Sequence, residues 1–249
     1  MTSLAIGIDV GGTGIKGGLV DVSAGKLVSD RIKYPTPSGG EPQEIADVIA
    51  TIVGDLGSDG AHAPLGVCVP AVVTHGITRT AANISPRWVD FHAEEFLEER
   101  LGREIVFLND ADAAGVAEAH YGVAKDRRGL TILTTLGTGI GSAMLLDGVL
   151  IPNSELGHLE LDGQVVETTT SRVAAQRDGL SFAEWAVRLE RYYRHLNRLF
   201  SPDLFIVGGG VSKQHHEFLP LIDCPVPLVP AALHNNAGIQ GAAYLASTR

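Results

Sequence analysis

The tetrapeptide Gly-Thr-Gly-Ile occurs twice in this chain, at Gly12–Ile15 and at Gly137–Ile140, almost half the chain apart. A Gly-Thr-Gly turn presents several backbone N–H groups with no Cβ in the way, plus one hydroxyl. That is a cradle for an anion such as phosphate. A single turn of this kind is explained equally well as a tight hairpin between core strands. Two copies, each behind an apolar run ("LAIGIDVG" and "LTILTTLG"), point to two grips on one phosphate chain. Their flanks differ. Around the first turn, Gly11, Gly12, Thr13, Gly14 and Lys16 are candidate donor-binding residues, and Asp9 is a candidate to hold Mg²⁺ through water. Around the second, Gly137, Thr138 and Gly139 follow Thr134 and Thr135, which are hydroxyl donors without charge.

Two further clusters carry polar chemistry. In "FLNDADAA", Asp110 falls where a strand gives way to a helix, a place where N–H groups and the helix dipole favour a carboxylate. Either Asp110 or Asp112 caps the helix while the other is free to accept a proton from a sugar hydroxyl attacking phosphorus. In "PNSELGHLEL", Glu155 and His158 flank the turn-prone Gly157 and suit the vicinal hydroxyls of a sugar. A fragment of a metal site, or an ordinary loop, would read the same way. No second His or Cys stands nearby, so a zinc site is not expected.

These residues need elements to position them. "LAIGIDV" reads as a buried strand, "GGTG" as a turn tolerant of positive φ, "IKGGLVD" as the return strand and "KLVSDRIKY" as a third. "EIADVIATIVGDL" puts Ile45, Val48, Ile49, Ile52, Val53 and Leu56 on one helical face. A strand at "PLGVCVPAVV", a helix closed by Gly102 and a strand at "EIVFLND" complete the first half. The second half starts again with strand, turn and two strands. Its longest helix sets Phe182, Trp185, Ala186, Leu189, Tyr192, Tyr193, Leu196 and Leu199 on its apolar side. A strand then enters the Gly208, Gly209, Gly210 loop, and a terminal helix follows at "NNAGIQGAAYLA". This order reads as a duplicated α/β unit, with a first domain over 1–108 and a second over 109–249 whose last helix packs back on the first.

Composition sets outer bounds. A chain of 249 residues with 45% hydrophobic residues and mean hydropathy +0.15 is globular. The net charge of −10 and pI near 5.3 argue against DNA as a partner. No apolar run is long enough for a membrane span, and the first residues lack the basic region of a signal peptide. Two cysteines, Cys68 and Cys224, make no disulfide framework, so a reducing cytoplasm is the expected location. Arg172, Arg177, Arg188, Arg191, Arg194 and Arg198 read as a solvated helix face. Lys125, Arg127 and Arg128 are placed to guide a long polyanion.

Taken together, "IGIDVGGTGIKGGLVD", "LNDADAAGVAEAHYG", "LTTLGTGIGSAML", "NSELGHLE", "LFIVGGGVS" and "NNAGIQGAA" resemble, in order and over nearly the whole chain, the ROK family of sugar kinases and repressors. The resemblance implies two ribonuclease-H-like lobes of the actin/hexokinase superfamily around a central cleft. It implies Asp110 as the base toward a sugar 6-hydroxyl, with Asn83, Asn109, Glu155 and His158 around the sugar. Gly208, Gly209 and Gly210 match the loop on the nucleotide side. Most ROK proteins follow the Glu-x-Gly-His segment with a cysteine-rich zinc site ending in a sugar-contacting Glu. Here "GHLELDGQVVETTTS" has no cysteine, and Glu167 falls where that Glu aligns. Asp112 also departs from the Asn more usual in the family. The repressor branch carries an added DNA-binding arm, and this sequence opens directly on the first phosphate motif. The cysteine-free pattern most closely resembles the actinobacterial polyphosphate glucokinases of the family. That implies glucose (and in some members mannose) as acceptor, polyphosphate and sometimes ATP as donor, Mg²⁺, and a homodimer. A strictly ATP-dependent hexokinase and a non-enzymatic sugar sensor are the competing readings.

Overall fold

The computed structural model describes residues 4–249. The first strands are β1 (Leu4–Val10), β2 (Ile15–Asp21), β3 (Lys26–Leu27) and β4 (Ile32–Tyr34). Helices α1 (Pro42–Asp55) and α2 (Gly57–Ala61) lead to β5 (Leu65–Val69), β6 (Val73–Thr74) and β7 (Ile77–Thr78). Then come α3 (Ala93–Leu101), β8 (Val106–Asn109) and α4 (Asp110–Tyr121). The second run is β9 (Leu130–Leu136), β10 (Ile140–Leu146), β11 (Val149–Ile151), β12 (Glu160–Leu161) and β13 (Gln164–Val165). It continues through α5 (Glu167–Thr170), α6 (Arg172–Arg177), α7 (Phe182–Phe200), β14 (Leu204–Gly208), β15 (Leu228–Pro230) and α8 (Ala237–Ala246).

Contacts divide the chain into two units. One holds the described residues up to Ala117 together with Asn236–Arg249, and the other holds Glu118–Asn235. The first sheet runs β3-β2-β1-β5-β8 and the second β11-β10-β9-β14-β15. In both, three strands joined by turns are antiparallel, and two more add in parallel to the opening strand. The duplicated α/β unit is therefore visible as one topology built twice. The division falls inside α4, later than the expected 108/109 boundary. The reason is packing: the start of α4 lies on α8, where a Cβ on Gly241 would come 1.8 Å from the Ala113 carbonyl oxygen.

In the first unit, strand alternation separates two faces of β1. Ile6, Ile8 and Val10 pack with Ile45, Ile49 and Ile52 of α1 in one core. Ala5 packs with Ile239 and Ala243 of α8 in another. Helix α8 approaches so closely because two strand positions lack side chains. A Cβ on Gly7 would lie 1.8 Å from the Ile239 oxygen, and one on Gly66 would lie 2.0 Å from the Ala242 oxygen. In the second unit, Trp185, Leu189, Tyr192, Tyr193 and Leu196 of α7 are fully buried beneath the sheet. The α7 start is fixed by a capping box between Ser181 and Glu184.

Two expectations need correction. "KLVSDRIKY" forms two short strands, β3 and β4, rather than one. Between them the Ser29 hydroxyl takes the Leu19 N–H at 3.0 Å, where a strand carbonyl would otherwise accept it. Leu199 is 52% exposed, because Phe200 packs against the core in its place. The arginines of the long helix do lie on its solvated face, as expected, and several are paired there: Arg188 with Asp178, Arg191 with Asp162, and Arg194 with Glu190 and Asp223. Among the described residues, no helix is long and apolar enough to cross a membrane.

Candidate active site

The first glycine turn is a four-residue loop, since Val10 pairs with Ile15 and leaves Gly11–Gly14 between the strands. The Gly11 N–H donates to the Gly14 carbonyl at 3.1 Å, and the Thr36 hydroxyl donates to the Gly11 carbonyl. No glycine of this turn has positive φ, although the turn would tolerate it. Close approach is what excludes a side chain. A Cβ on Gly12 would lie 2.7 Å from the Asn83 Cβ, so the exposed Asn83, itself at φ 62, stands directly beside the turn.

Asp9 and Lys16 are cross-strand partners, so their side chains leave the same face of the sheet. The Lys16 ammonium lies 3.1 Å from the Asp9 carboxylate. A Cβ on Gly238, in the first turn of α8, would lie 3.0 Å from the Asp9 Cγ, so the positive end of that helix faces the same carboxylate. Cys68, opposite Asp9 on the next strand, places its sulfur 4.0 Å from Asp9 Oδ1. Burial, then the charges of Asp9 and Asp110, push this thiol well above its usual range, so it stays protonated. Among the described residues, no three His, Cys, Asp or Glu side chains gather as metal ligands. A single carboxylate beside a lysine suits Mg²⁺, which keeps several waters and takes other oxygens from a phosphate.

Both base candidates lie at the start of α4, where Asp110 Oδ1 itself accepts from the Ala111 N–H at 2.8 Å. Asn109, the last residue of β8, accepts from the N–H groups of Ala111 at 2.8 Å and Asp112 at 3.0 Å. Its amide nitrogen donates to the Ala71 carbonyl at 3.1 Å. Asn109 is therefore the N-cap of α4, and the expected Asp110 shares one of the two N–H groups with it. The residue before the first helical one is still extended, so its side chain reaches the free N–H groups. Both ends of the Asn109 amide thus bond within the protein. Asp112 is 1% exposed, whereas Asp110 is half-buried at the helix start.

The second glycine turn is one residue shorter. Leu136 pairs with Ile140, leaving Gly137–Gly139. Gly137 donates to the Gly139 carbonyl at 3.0 Å and accepts from Val173 at 3.2 Å. Thr138 is exposed and Thr135 half-buried. Thr134 is not available to a ligand: alternation turns it inward, where its hydroxyl lies 2.7 Å from the Tyr193 hydroxyl. Gly208 pairs with Thr135. Gly209 follows at φ 82, and a Cβ there would lie 2.5 Å from the Leu136 oxygen. The strand-end glycine loop, including Gly210, is thus seated against the second turn.

The sugar motif is anchored to the same strand. The Ser142 hydroxyl donates to the Ser154 carbonyl at 2.6 Å and accepts from the Leu156 N–H at 2.9 Å. His158, half-exposed, sits between two carboxylates: its Nδ1 is 3.4 Å from Glu155 and its Nε2 is 3.3 Å from Glu167. Burial pushes the Glu155 carboxyl up, with His158 opposing and Glu167 adding to the shift. Sequence alone marked Glu155 and His158, and only alignment to a family suggested Glu167; the structure brings all three together. Sequence reasoning missed Cys68, Ser142 and the capping role of Asn109. An Asn just before a helical run is a cap signal that was open to reading.

In one unit, then, Asp9, Gly11–Gly14, Lys16 and Asn83 meet at one turn, with Asn109 and Asp110 at the start of α4. In the other, Thr135, Gly137–Gly139, Glu155, His158, Glu167 and Gly208–Gly210 cluster around the second turn. The chain is 46% identical to a polyphosphate glucokinase of Mycobacterium tuberculosis over 238 residues, 95% of this chain and 89% of that one. It is also 46% identical to the polyphosphate glucokinase of Mycobacterium leprae, covering 97% of this chain and 74% of that one. The structure matches the inorganic polyphosphate/ATP-glucomannokinase of Arthrobacter sp. strain KM with a TM-score of 0.94, 49% identity and 99% coverage of both chains. It matches a ROK family glucokinase of Streptomyces griseus, solved with glucose and AMPPNP, with a TM-score of 0.84, 25% identity, and coverage of 99% and 100%. The sequence pattern of the family itself matches residues 5–179, and the chain belongs to the ROK family.

Proposed function

We propose that the chain is a polyphosphate-dependent glucokinase, transferring a phosphoryl group from inorganic polyphosphate, and also from ATP, to the 6-hydroxyl of glucose. The likeness to the mycobacterial polyphosphate glucokinases over nearly the whole chain carries this reading. Asp110 is the general base: it is half-buried at a capped helix start, whereas Asp112 is 1% exposed. Asn109 holds the backbone that aims it. Lys16 neutralises charge on the transferring phosphoryl group, and Asp9 holds the lysine in place. Asp9 would hold Mg²⁺ through water, and the ion would supply further charge neutralisation on the donor phosphates. Amides of the two glycine turns orient the donor, and Asn83, Glu155, His158 and Glu167 hold the sugar. Phosphoryl transfer depends mainly on such positioning and electrostatics. Mannose as a second acceptor, a homodimeric state, a cytoplasmic location and a place at the entry to glycolysis belong to the same reading. The test is glucose 6-phosphate formation with polyphosphate or ATP as sole donor. Product from polyphosphate is expected. Product from ATP alone would favour a strictly ATP-dependent kinase built on the Gly208–Gly210 loop.

A further inference from the structure

Ile140, the first strand residue after the second glycine turn, has its backbone gripped on both sides. Its N–H donates to Glu167 Oε2 at 3.0 Å. Its carbonyl lies against the sugar motif, where a Cβ on Gly157 would come 2.1 Å from the oxygen. Gly139, within the turn, faces the same carboxylate: a Cβ there would lie 2.4 Å from Glu167 Oε2. The other oxygen, Oε1, lies 3.3 Å from His158 Nε2, and the far nitrogen of that ring lies 3.4 Å from Glu155. A single side chain therefore reaches from the donor turn to the pair that recognises the acceptor. The Tyr192 hydroxyl is fully buried and makes no hydrogen bond among the described residues. Burial, then Tyr193 and Glu167, keep it protonated.

A carboxylate on an anion-binding turn runs against simple electrostatics. It occupies the Ile140 N–H and sets a negative charge beside Gly139, while the Gly137 N–H is already given to the Gly139 carbonyl. What the arrangement supplies is geometry, because a bond to a charged acceptor is stronger and more directional than a neutral one.

We propose that Glu167 is a positioning residue that couples the two substrates: it ties the second glycine turn to the His158 imidazole, so that sugar held at Glu155 and His158 fixes the turn that grips the phosphate donor. This rests on the kinase reading above and deepens it. Glu167 acts on the donor through the Ile140 peptide.

The experiment varies glucose and polyphosphate together in wild-type protein, E167A and E167Q. In E167A, KM for glucose and KM for polyphosphate both rise about tenfold or more, and the donor KM no longer depends on glucose. E167Q keeps an acceptor oxygen for the Ile140 N–H. Its donor KM returns to within about threefold of wild type while its glucose KM stays raised. A glucose KM that rises alone in E167A, or both constants rising equally in E167Q, overturns the proposal. A second readout needs no turnover: amide hydrogen exchange at Ile140 is expected to be about tenfold faster in E167A and near wild type in E167Q. Unchanged exchange in E167A overturns the coupling even if glucose is phosphorylated. A wild-type protein that makes no glucose 6-phosphate from polyphosphate sinks the donor assignment instead, and leaves the exchange result to judge the contact.

Discussion

The first glycine hairpin carries its charge in its own strands, and the second receives its charge from another element. Asp9 and Lys16 face each other one step outside the first turn. The equivalent pair outside the second is Thr135 and Gly141, with no charge at all. There the charge comes from Glu167 at the start of α5, bonded to the Ile140 N–H, with His158 beyond it. The first loop is four residues long and the second three. One hairpin copied twice is thus a generic arrangement of amides. Its chemistry is set by which ionisable groups the surrounding sheet and helices bring to it. In the first unit these are a cation and a carboxylate suited to phosphoryl transfer, and in the second a carboxylate–imidazole–carboxylate row suited to a sugar.

This contrast predicts that changes in the first unit act on turnover and changes in the second act on substrate affinity. The sharpest break would come at Asp110. D110A should lower kcat by about 10²–10⁴ with glucose binding, read by calorimetry, nearly intact. Near-normal turnover would move the base role to Asp112. K16A should follow, lowering kcat by about 10²–10³ with a small change in glucose KM. A pure KM effect there would erase the distinction between the hairpins. G139A, which drives a methyl into the Glu167 carboxylate, should raise glucose KM about tenfold at modest cost in kcat. Replacing Lys125, Arg127 and Arg128 by Gln should raise KM for long polyphosphate severalfold more than KM for ATP in a low-salt assay. The smallest kinetic effect belongs to T134V, which should leave both KM values unchanged. Because it strands the buried Tyr193 hydroxyl, it should cost about 1–3 kcal/mol in a denaturant melt.

Much of this was legible in the order of residues. Strand β1, turn, strand β2 and their counterparts in the second half follow from apolar runs broken by glycine. The candidate residues Asp9, Lys16, Asp110, Glu155 and His158 stood out because polar groups at the ends of buried strands need a reason. The misreadings share a cause. The first glycine turn tolerates positive φ, yet none of its glycines adopts it; Gly12 and Gly139 are there because Asn83 and Glu167 come too close for a side chain. Thr134 reads as a hydroxyl donor toward phosphate, but its hydroxyl is taken up by Tyr193 in the core. Leu199 belongs to the apolar stripe by spacing but loses its place to Phe200.

Local sequence determined the hairpins, the helix starts and the types of group available for chemistry, because turn preference, periodicity and capping act over a few residues. It also determined that the unit occurs twice. Tertiary structure alone decided which groups meet. Glu167 reaches Ile140 and His158, Cys68 lies beside Asp9, and α8 returns from the end of the chain to rest on Gly7 and Gly66. Those contacts join residues far apart in the chain, and nothing in local propensity encodes a distance across a packed core.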